Sequence, residues 1–405
     1  MKKIALINCY IGAFPWFFKF FLKSCEANPT IDFFIFTDNV INYQVPNNVK
    51  IIPFTLVDFN TLASEKIGFE IEVEKPYKLC DYKPAFGIIF SSYLEDYDFW
   101  GITDLDVIYG RIKEFMTEEL LEEFDVICVR HDFITACCML FRNNNYVNTL
   151  FEKSKDYKMI FTSQKNYAFD ETNFEQSSIF EKEDIFKIDC EIESMQHIIL
   201  NEENEGRLKS HFDFLLCEGT AGELLWNHGL FSYKGKFEIM LYHLLHYKGN
   251  IFSNNTMKWK EIPDVFYIDK YDYRKNNSLL DLLKLKYKDH LKPKMWNLFK
   301  KYDALLSMKV FKKTVNCIED GEYMYYLSKM KIVITKNSLT RENYLKYGNS
   351  NSSILYQLTF SKKYFFAENL PFIFRLEDNN VIMHVRFILI SSIGYGNMYN
   401  KLKTN

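Results

Sequence analysis

No run of this sequence approaches the roughly 20 consecutive apolar residues that a membrane-spanning helix needs, so a transmembrane protein is not expected. A Gly-x-Gly-x-x-Gly fingerprint and a P-loop are also missing, which lowers dinucleotide-dependent enzymes and ordinary kinases. The nine cysteines form no C-x₂-C pair and no regular framework. That argues against a zinc ribbon or a disulfide scaffold and fits a reducing cytoplasm, with the adjacent Cys137 and Cys138 read as buried strand residues. Excess positive charge is lacking too: 50 basic and 53 acidic residues leave a net charge of −3, which argues against a general nucleic-acid binder. There are no internal repeats and no low-complexity stretches. The first eight residues have the look of a secretory signal, but Asn8, Pro15 and Lys19 interrupt any apolar core. They read instead as a first strand over residues 3–8, with a helix over 15–25 returning across it.

What is present is a soluble globular composition, 48% hydrophobic and 25% charged. Its 405 residues allow two or three units at roughly 150 residues each. The most informative tract is residues 97–110, YDFWGITDLDVIYG. Its continuous apolar and aromatic run suits a strand covered on both faces, as in a parallel α/β sheet, and ligands sit beyond the carboxyl ends of such strands. Asp104 and Asp106 fall at that end, where two carboxylates could offer hard oxygen ligands to Mg²⁺ or Mn²⁺. The competing reading is a strand-end turn that merely favours Asp. Asp96 and Asp98, before the strand, read as such a turn.

Upstream, residues 84–94 carry Phe86, Ile89, Phe90, Tyr93 and Leu94 at helical spacing, with Pro84 suited to a first helical position. This predicts an amphipathic helix with Asp81 and Lys83 at its mouth, Asp81 being open to a capping role as well. Further strands are expected over 32–37, 49–53, 125–129 and 136–141, and a helix over 112–123. Asp170 and Glu171, set between aromatics, are the best candidates for chemistry; the structural alternative is a helix start. His243 and His246 stand out because only eight histidines occur.

Several motifs occur together in order: Tyr10-Ile11-Gly12, Phe14-Pro15-Trp16, Asn28-Pro29-Thr30-Ile31-Asp32, Phe36-Thr37-Asp38-Asn39, KPYKLCDYKPAFG and FWGITDLDVIYG. In this the chain resembles a family of bacterial sugar transferases associated with capsule and surface-polysaccharide synthesis, over roughly residues 1–255. The resemblance implies a GT-A-like fold: a mixed, mostly parallel α/β sheet with helices on both faces. It implies nucleotide-sugar contacts from Tyr10, Gly12, Asp38, Asp81, Lys83, Asp104 and Lys248. It further implies a metal shell of Asp104, Asp106 and His243 holding Mn²⁺ or Mg²⁺, and Asp170 or Glu171 facing the reacting sugar.

A catalytic domain is therefore expected over 1–262 and an appendage over 263–405. Residues 279–314 carry ten Lys, one His and three acids. They read as a basic amphipathic helix, able either to dock on the anionic inner face of the cytoplasmic membrane or to pack Met295, Phe299 and Tyr302 on the catalytic domain with its Lys facing water. A small strand-rich part follows. The reading as a whole is a metal-dependent glycosyltransferase, with a UDP- or GDP-sugar donor, a glycan or lipid-linked glycan acceptor, and retention of configuration favoured over inversion. A sugar nucleotidyltransferase and a non-catalytic scaffold of a polysaccharide complex are the alternatives.

Overall fold

The computed structural model describes residues 1–295 apart from 181–183, 214, 220, 251 and 277, together with the backbone of eight strands between 312 and 385. The chain divides into two compact units, Met1–Asp281 and Leu282–Asn405.

The first unit is built on a seven-stranded sheet in the order β3-β2-β1-β4-β7-β6-β8. Its strands are β1 (Ile4–Tyr10), β2 (Ile31–Thr37), β3 (Val49–Pro53), β4 (Phe99–Thr103), β6 (Val126–Cys128), β7 (Cys138–Arg142) and β8 (Ser210–Phe212). β1 pairs in parallel with β2 and β4, β2 with β3, and β6 with β8; β7 alone runs against its neighbours β4 and β6. This is the mixed, mostly parallel α/β sheet expected from the sequence.

Both faces are covered, and the two-residue period of a strand shows it directly. Ile4 and Leu6 of β1 join one apolar cluster, with Phe18 and Phe21 of helix α1 (Phe18–Glu26). Ala5 and Ile7 join the other, with Phe59 and Ala63 of helix α2 (Leu56–Ile67). Strand β2 splits the same way, with Phe33 on one face and Phe36 on the other. Strand β4 packs so closely that a Cβ on Gly101 would lie 2.4 Å from the Met139 carbonyl and 2.7 Å from Leu6.

Past Thr103 the chain leaves the large sheet. Strand β5 (Val107–Tyr109) pairs antiparallel with β13 (Leu241–His243), which pairs in parallel with β9 (Leu216–Cys217). A third sheet orders β12 (Phe237–Glu238), β11 (Leu230–Tyr233), β10 (Leu224–Asn227), β14 (Val265–Ile268) and β15 (Tyr273–Arg274). Because β14 pairs with β10, the unit runs past residue 262, where the sequence suggested a boundary.

Two helix expectations need correction. Residues 84–94 do not form one amphipathic helix: 3₁₀ turns run over Pro76–Ala85, a single α turn over Phe86–Ile89 and another 3₁₀ turn over Ser91–Tyr93. Phe86, Ile89, Phe90 and Leu94 are buried as the spacing implied, but Tyr93 is 38% exposed. A 3₁₀ path turns every three residues rather than every 3.6, so the stripe drifts. The segment 112–123 breaks into Ile112–Phe115 and Glu118–Glu123, because the Thr117 hydroxyl accepts from the Leu120 N–H and caps a new helix.

In the second unit, strands β16 to β23 (Lys312–Glu319, Glu322–Leu327, Met330–Lys336, Asn343–Asn349, Ser352–Ser361, Tyr364–Phe366, Phe372–Glu377 and Asn380–Val385) form a closed barrel in sequence order. Every pairing is antiparallel, and β16 closes on β23. Closure removes the unpaired edges that an open sheet would present. The expected strand-rich part is thus a barrel. A helix over Leu279–Lys286 continues through a π turn at Tyr287–Leu291. Of the remainder of the expected basic helix, residues 296–311 lie outside the described residues, and Lys312 to Thr314 are not helical but open strand β16.

Candidate active site

The carboxyl ends of β1, β2 and β4 lie side by side, and the residues just beyond them build the site. Where the chain passes from β4 to β5, the turn 104–106 presents two carboxylates. Register then brings in the histidine: His243 of β13 sits opposite Val107, and the Leu244 N–H donates to the Asp106 carbonyl at 2.8 Å. Asp104, Asp106 and His243 each offer one ligand atom, all within 4.8 Å of one another. Two hard carboxylate oxygens and a borderline imidazole nitrogen form a donor set that suits Mn²⁺ or Mg²⁺.

Two lysines stand over these carboxylates. Lys83 Nζ is 2.7 Å from Asp104 Oδ1, 3.1 Å from the Ala136 carbonyl and 3.7 Å from Asp170. Lys248, on the short helix Leu245–Gly249 that follows β13, pairs with Asp106. Burial alone would raise Asp106, but hydrogen bonds and charge from His243 and Lys248 hold it well below the usual carboxylate range. Burial alone would lower His243; Cys137, Asp106 and Glu218 together raise it well above the usual histidine range. Burial would likewise lower Lys83, and Asp104, Cys80 and Asp170 more than offset it.

Asp170 behaves differently. It is 6% exposed, burial drives its pKa well above the carboxylate norm, and Lys83 opposes that only in part while Glu171, Asp81 and Asp104 add to it. Its loop holds three non-glycine residues at positive φ within seven positions: Ala168 (48°), Asn173 (57°) and Phe174 (67°). Such strain persists only where surrounding contacts over-determine it. The contacts are here: Asp81 accepts from the Tyr167 N–H at 2.9 Å and the Phe169 N–H at 2.8 Å, and Asn173 Nδ2 donates to the Tyr167 carbonyl at 2.9 Å.

The structure thus sorts the residues singled out in the sequence. Asp104, Asp106, His243, Lys83, Lys248 and Asp170 converge. Asp81 is wholly buried beneath the site, paired with Lys78 at 2.8 Å, and neither caps a helix nor reaches the cleft. Glu171 turns away from Asp170: its carboxylate accepts from the Ala136 N–H at 3.0 Å and from Gln176 at 2.8 Å. Gly12 and Asp38 belong to the neighbouring strand ends. The Gly12 N–H donates to Asp38 at 2.8 Å, and its φ of +107° is one that side chains rarely adopt. Beyond β2 and β3 a cavity of about 480 Å³ is lined by Thr37, Asp38, Tyr43, Pro53 and Phe54. Tyr10, at the end of β1, lies within the electrostatic reach of Lys248 and Asp106. His246 does not enter the metal-ligating group; it lines a separate cavity of about 580 Å³ with Gly219 and Asn250.

Sequence reasoning missed Glu218 and Cys137, which border His243, and Arg130, which holds Glu218. Their proximity comes from strand pairing between segments some 25 to 110 residues apart, and no local motif announces it.

A mostly parallel sheet with a potential cation shell and two lysines at its strand ends defines an α/β protein whose charged cluster lies beyond the carboxyl ends of its strands. Residues 6–277 match the model of a family described as a family of unknown function, DUF6625, and the chain belongs to that family. No curated protein sequence matches it. Among solved structures it is similar to the galactosyltransferase LgtC, solved with donor and acceptor sugar analogues. That match has 9% identity and a TM-score of 0.26, and covers 41% of this chain and 67% of that one. It is also similar to the glycosyltransferase GlyE of Streptococcus pneumoniae TIGR4, at 13% identity and a TM-score of 0.23, covering 52% of this chain and 45% of that one. The chain thus spans less than half the length of GlyE.

Among the described residues no helix is long and apolar enough to cross a membrane.

Proposed function

We propose that the first unit is a metal-dependent glycosyltransferase of the GT-A type, moving a sugar from a UDP- or GDP-sugar to a bacterial capsule or surface glycan. One observation carries this reading: ligand atoms of Asp104, Asp106 and His243 lie within 4.8 Å of one another at the strand ends, flanked by Lys83, Lys248 and Asp170. A bound Mn²⁺ or Mg²⁺ would neutralise charge developing on the leaving diphosphate.

The chain's own residues do the rest. Lys83 and Lys248 now neutralise Asp104 and Asp106. With a cation held by Asp104, Asp106 and His243, both ammonium groups would be free to bind the diphosphate oxygens of the donor. The stitched loops at Tyr10, Gly12 and Asp38 bound the space for base and ribose. Asp170 is left aimed at the reacting sugar. In a retaining enzyme it would stabilise an oxocarbenium-like carbon, and in an inverting one it would take the acceptor's proton. The chain order of Asp-x-Asp, acidic pair and His favours retention.

The test is a screen of UDP-, GDP- and CMP-sugars for thermal stabilisation with and without Mn²⁺, since a ligand that binds only the folded state raises its apparent stability. Stabilisation by a UDP- or GDP-sugar that needs Mn²⁺ is expected. Stabilisation by a nucleoside triphosphate plus sugar phosphate instead would indicate a nucleotidyltransferase, and none by any nucleotide would indicate a scaffold.

The acceptor side of the proposal includes a membrane contact. Leu279, Leu280, Leu282 and Leu283 are exposed by 41 to 74% beside Lys284 and Lys286. An amphipathic helix of this kind suits an anionic surface that carries lipid-linked acceptors. Co-sedimentation with anionic but not zwitterionic vesicles, weakened by salt and by Lys284→Glu with Lys286→Glu, is expected; absence of binding to either would remove the membrane from the proposal.

A further inference from the structure

The histidine of the candidate metal shell is held from behind by a chain of charged groups that reaches well away from the cleft. Strand β9 pairs with β13 so that Cys217 lies opposite Tyr242, and the next residue, Glu218, therefore emerges beside His243. Glu218 Oε1 lies 2.7 Å from His243 Nδ1. The opposite ring nitrogen, Nε2, faces Asp106 at 3.4 Å. Glu218 is itself fixed: its Oε2 accepts from Arg130 at 2.8 Å. Arg130 is anchored in turn by a two-pronged pair with Asp132, at 2.8 and 2.7 Å, and its guanidinium stacks 4.0 Å from the Phe133 ring centre. The Arg130 side chain is only 12% exposed, so this clamp is built into the fold and is not a loose surface pair.

Resting on the metal reading above, we infer that Glu218, clamped by Arg130, is the positioning residue that selects which nitrogen of His243 meets the cation. A neutral imidazole carries one N–H and one lone pair. With a cation in place of the second proton, a carboxylate at Nδ1 would keep the remaining proton there and leave the Nε2 lone pair directed at the space shared with Asp104 and Asp106. It also fixes the ring plane and makes the nitrogen a better donor. Without Glu218 the proton can sit on either nitrogen, and the ring is free to turn about its bond to Cβ. Arg130 acts one step further out by holding the Glu218 carboxylate at the angle that the hydrogen bond needs. Cys137, which also borders His243, offers no comparable anchor, because a cysteine sulfur is a weak hydrogen-bonding group beside a carboxylate.

The readout is Mn²⁺ affinity of the full chain without substrate, measured from the free-Mn²⁺ electron paramagnetic resonance signal, alongside the melting temperature without metal. Glu218→Ala is expected to weaken Mn²⁺ binding about 10- to 100-fold, the usual cost of losing such a partner. Glu218→Gln keeps an acceptor oxygen and loses the charge, so an intermediate loss is expected. Arg130→Lys, which breaks the fork but keeps the charge, is expected to give a smaller loss and is the variant to use should Glu218→Ala fail to fold. A merely structural role would lower the melting temperature and leave Mn²⁺ affinity unchanged. If His243→Ala abolishes Mn²⁺ binding while Glu218→Ala and Glu218→Gln bind as tightly as the unaltered protein, the inference falls and the metal site stands. If the unaltered protein binds no Mn²⁺, the metal reading and this inference fall together.

Discussion

Two acidic clusters lie within a few side chains of each other in this molecule, and they are finished in opposite ways. Around Asp81 every acceptor is taken: its carboxylate meets Lys78 at 2.8 Å and the N–H groups of Tyr167 and Phe169, and Lys78 itself donates to the carbonyls of Ile160 and Lys165 at 2.7 Å. Glu171 is filled likewise by Thr135, Ala136 and Gln176. Around Asp106 and Asp170 the groups are charged, buried and short of neutral donors. Among the described residues, the ion-pair partner of Asp170 is Lys83 at 3.7 Å, beyond hydrogen-bonding distance. Saturated carboxylates hold a fold together, whereas under-satisfied buried ones need an outside partner or a proton to be tolerable. The first cluster therefore supports the second, since Asp81 shapes the very loop that presents Asp170.

The largest effect that would sharpen this contrast is at Asp106. Asp106→Ala should lower sugar transfer by more than about 10³-fold, the scale of losing a principal electrostatic stabiliser. It should leave the protein folded, with the melting temperature lowered less than in Asp81→Ala: the pairing that depresses the Asp106 pKa is lost, but Lys248 is freed to solvent and His243 keeps Glu218. Excess EDTA should reproduce the loss, and full turnover in EDTA would remove the cation from the mechanism.

Asp81→Ala should show the reverse. It strands Lys78 as an unpaired buried charge and orphans two backbone donors, a loss of about 3–5 kcal/mol in unfolding free energy. Urea titration checks the value. A stable Asp81→Ala with normal folding but lost donor binding would break the comparison and return Asp81 to the nucleotide site.

Asp170→Asn comes next, with two signatures. Turnover should drop about 10²- to 10⁴-fold while donor affinity changes little, as for a group that acts in the transition state. Stability at neutral pH should rise. The folded pKa of Asp170 lies above its unfolded value, so its favourable contribution is complete below the unfolded value near 4 and is lost as pH climbs through the folded one. Asparagine carries no such penalty, and the variant's advantage should vanish below about pH 4. Asp106 has the opposite sign: its depressed pKa contributes stability at neutral pH that is lost as acid approaches the folded value. Thermal melts across pH distinguish the two.

Much of this frame was legible in the chain. The apolar run ending in Asp104 and Asp106 announced a buried strand and its mouth, because a strand covered on both faces has a recognisable composition. The split at 104–106 between two sheets was not legible, since nothing local says that Val107 will pair with His243. The helix expected after Pro84 failed because apolar spacing does not say where an α turn will break, and the turn Phe86–Ile89 gives way to 3₁₀ turns on both sides. Asp81 and Lys83 looked equivalent at that helix mouth, yet only Lys83 reaches Asp104, and the difference depends on a loop 86 residues from Asp81. Glu171 beside Asp170 posed the same ambiguity: adjacent residues on a tight loop point apart, and sequence does not say which points inward.

That last ambiguity sets the smallest and most discriminating effect. In Glu171→Gln the retained carbonyl oxygen can still accept from Ala136 and Thr135, and the new amide nitrogen meets Gln176, whose own amide can reverse to present oxygen. What is lost is the charge assistance of the hydrogen bonds, so a destabilisation of about 0.5–1.5 kcal/mol is expected. Turnover should stay within about threefold, because the Ala136 carbonyl that receives Lys83 is still tethered through its own residue's N–H. Measured beside Asp170→Asn under the same conditions, Glu171→Gln then separates a carboxylate that holds a loop from one that meets a substrate. A turnover loss as large as that of Asp170→Asn, with stability untouched, would mean that both carboxylates face the reacting sugar and that the hydrogen bonds to Ala136 and Gln176 give way when the donor binds.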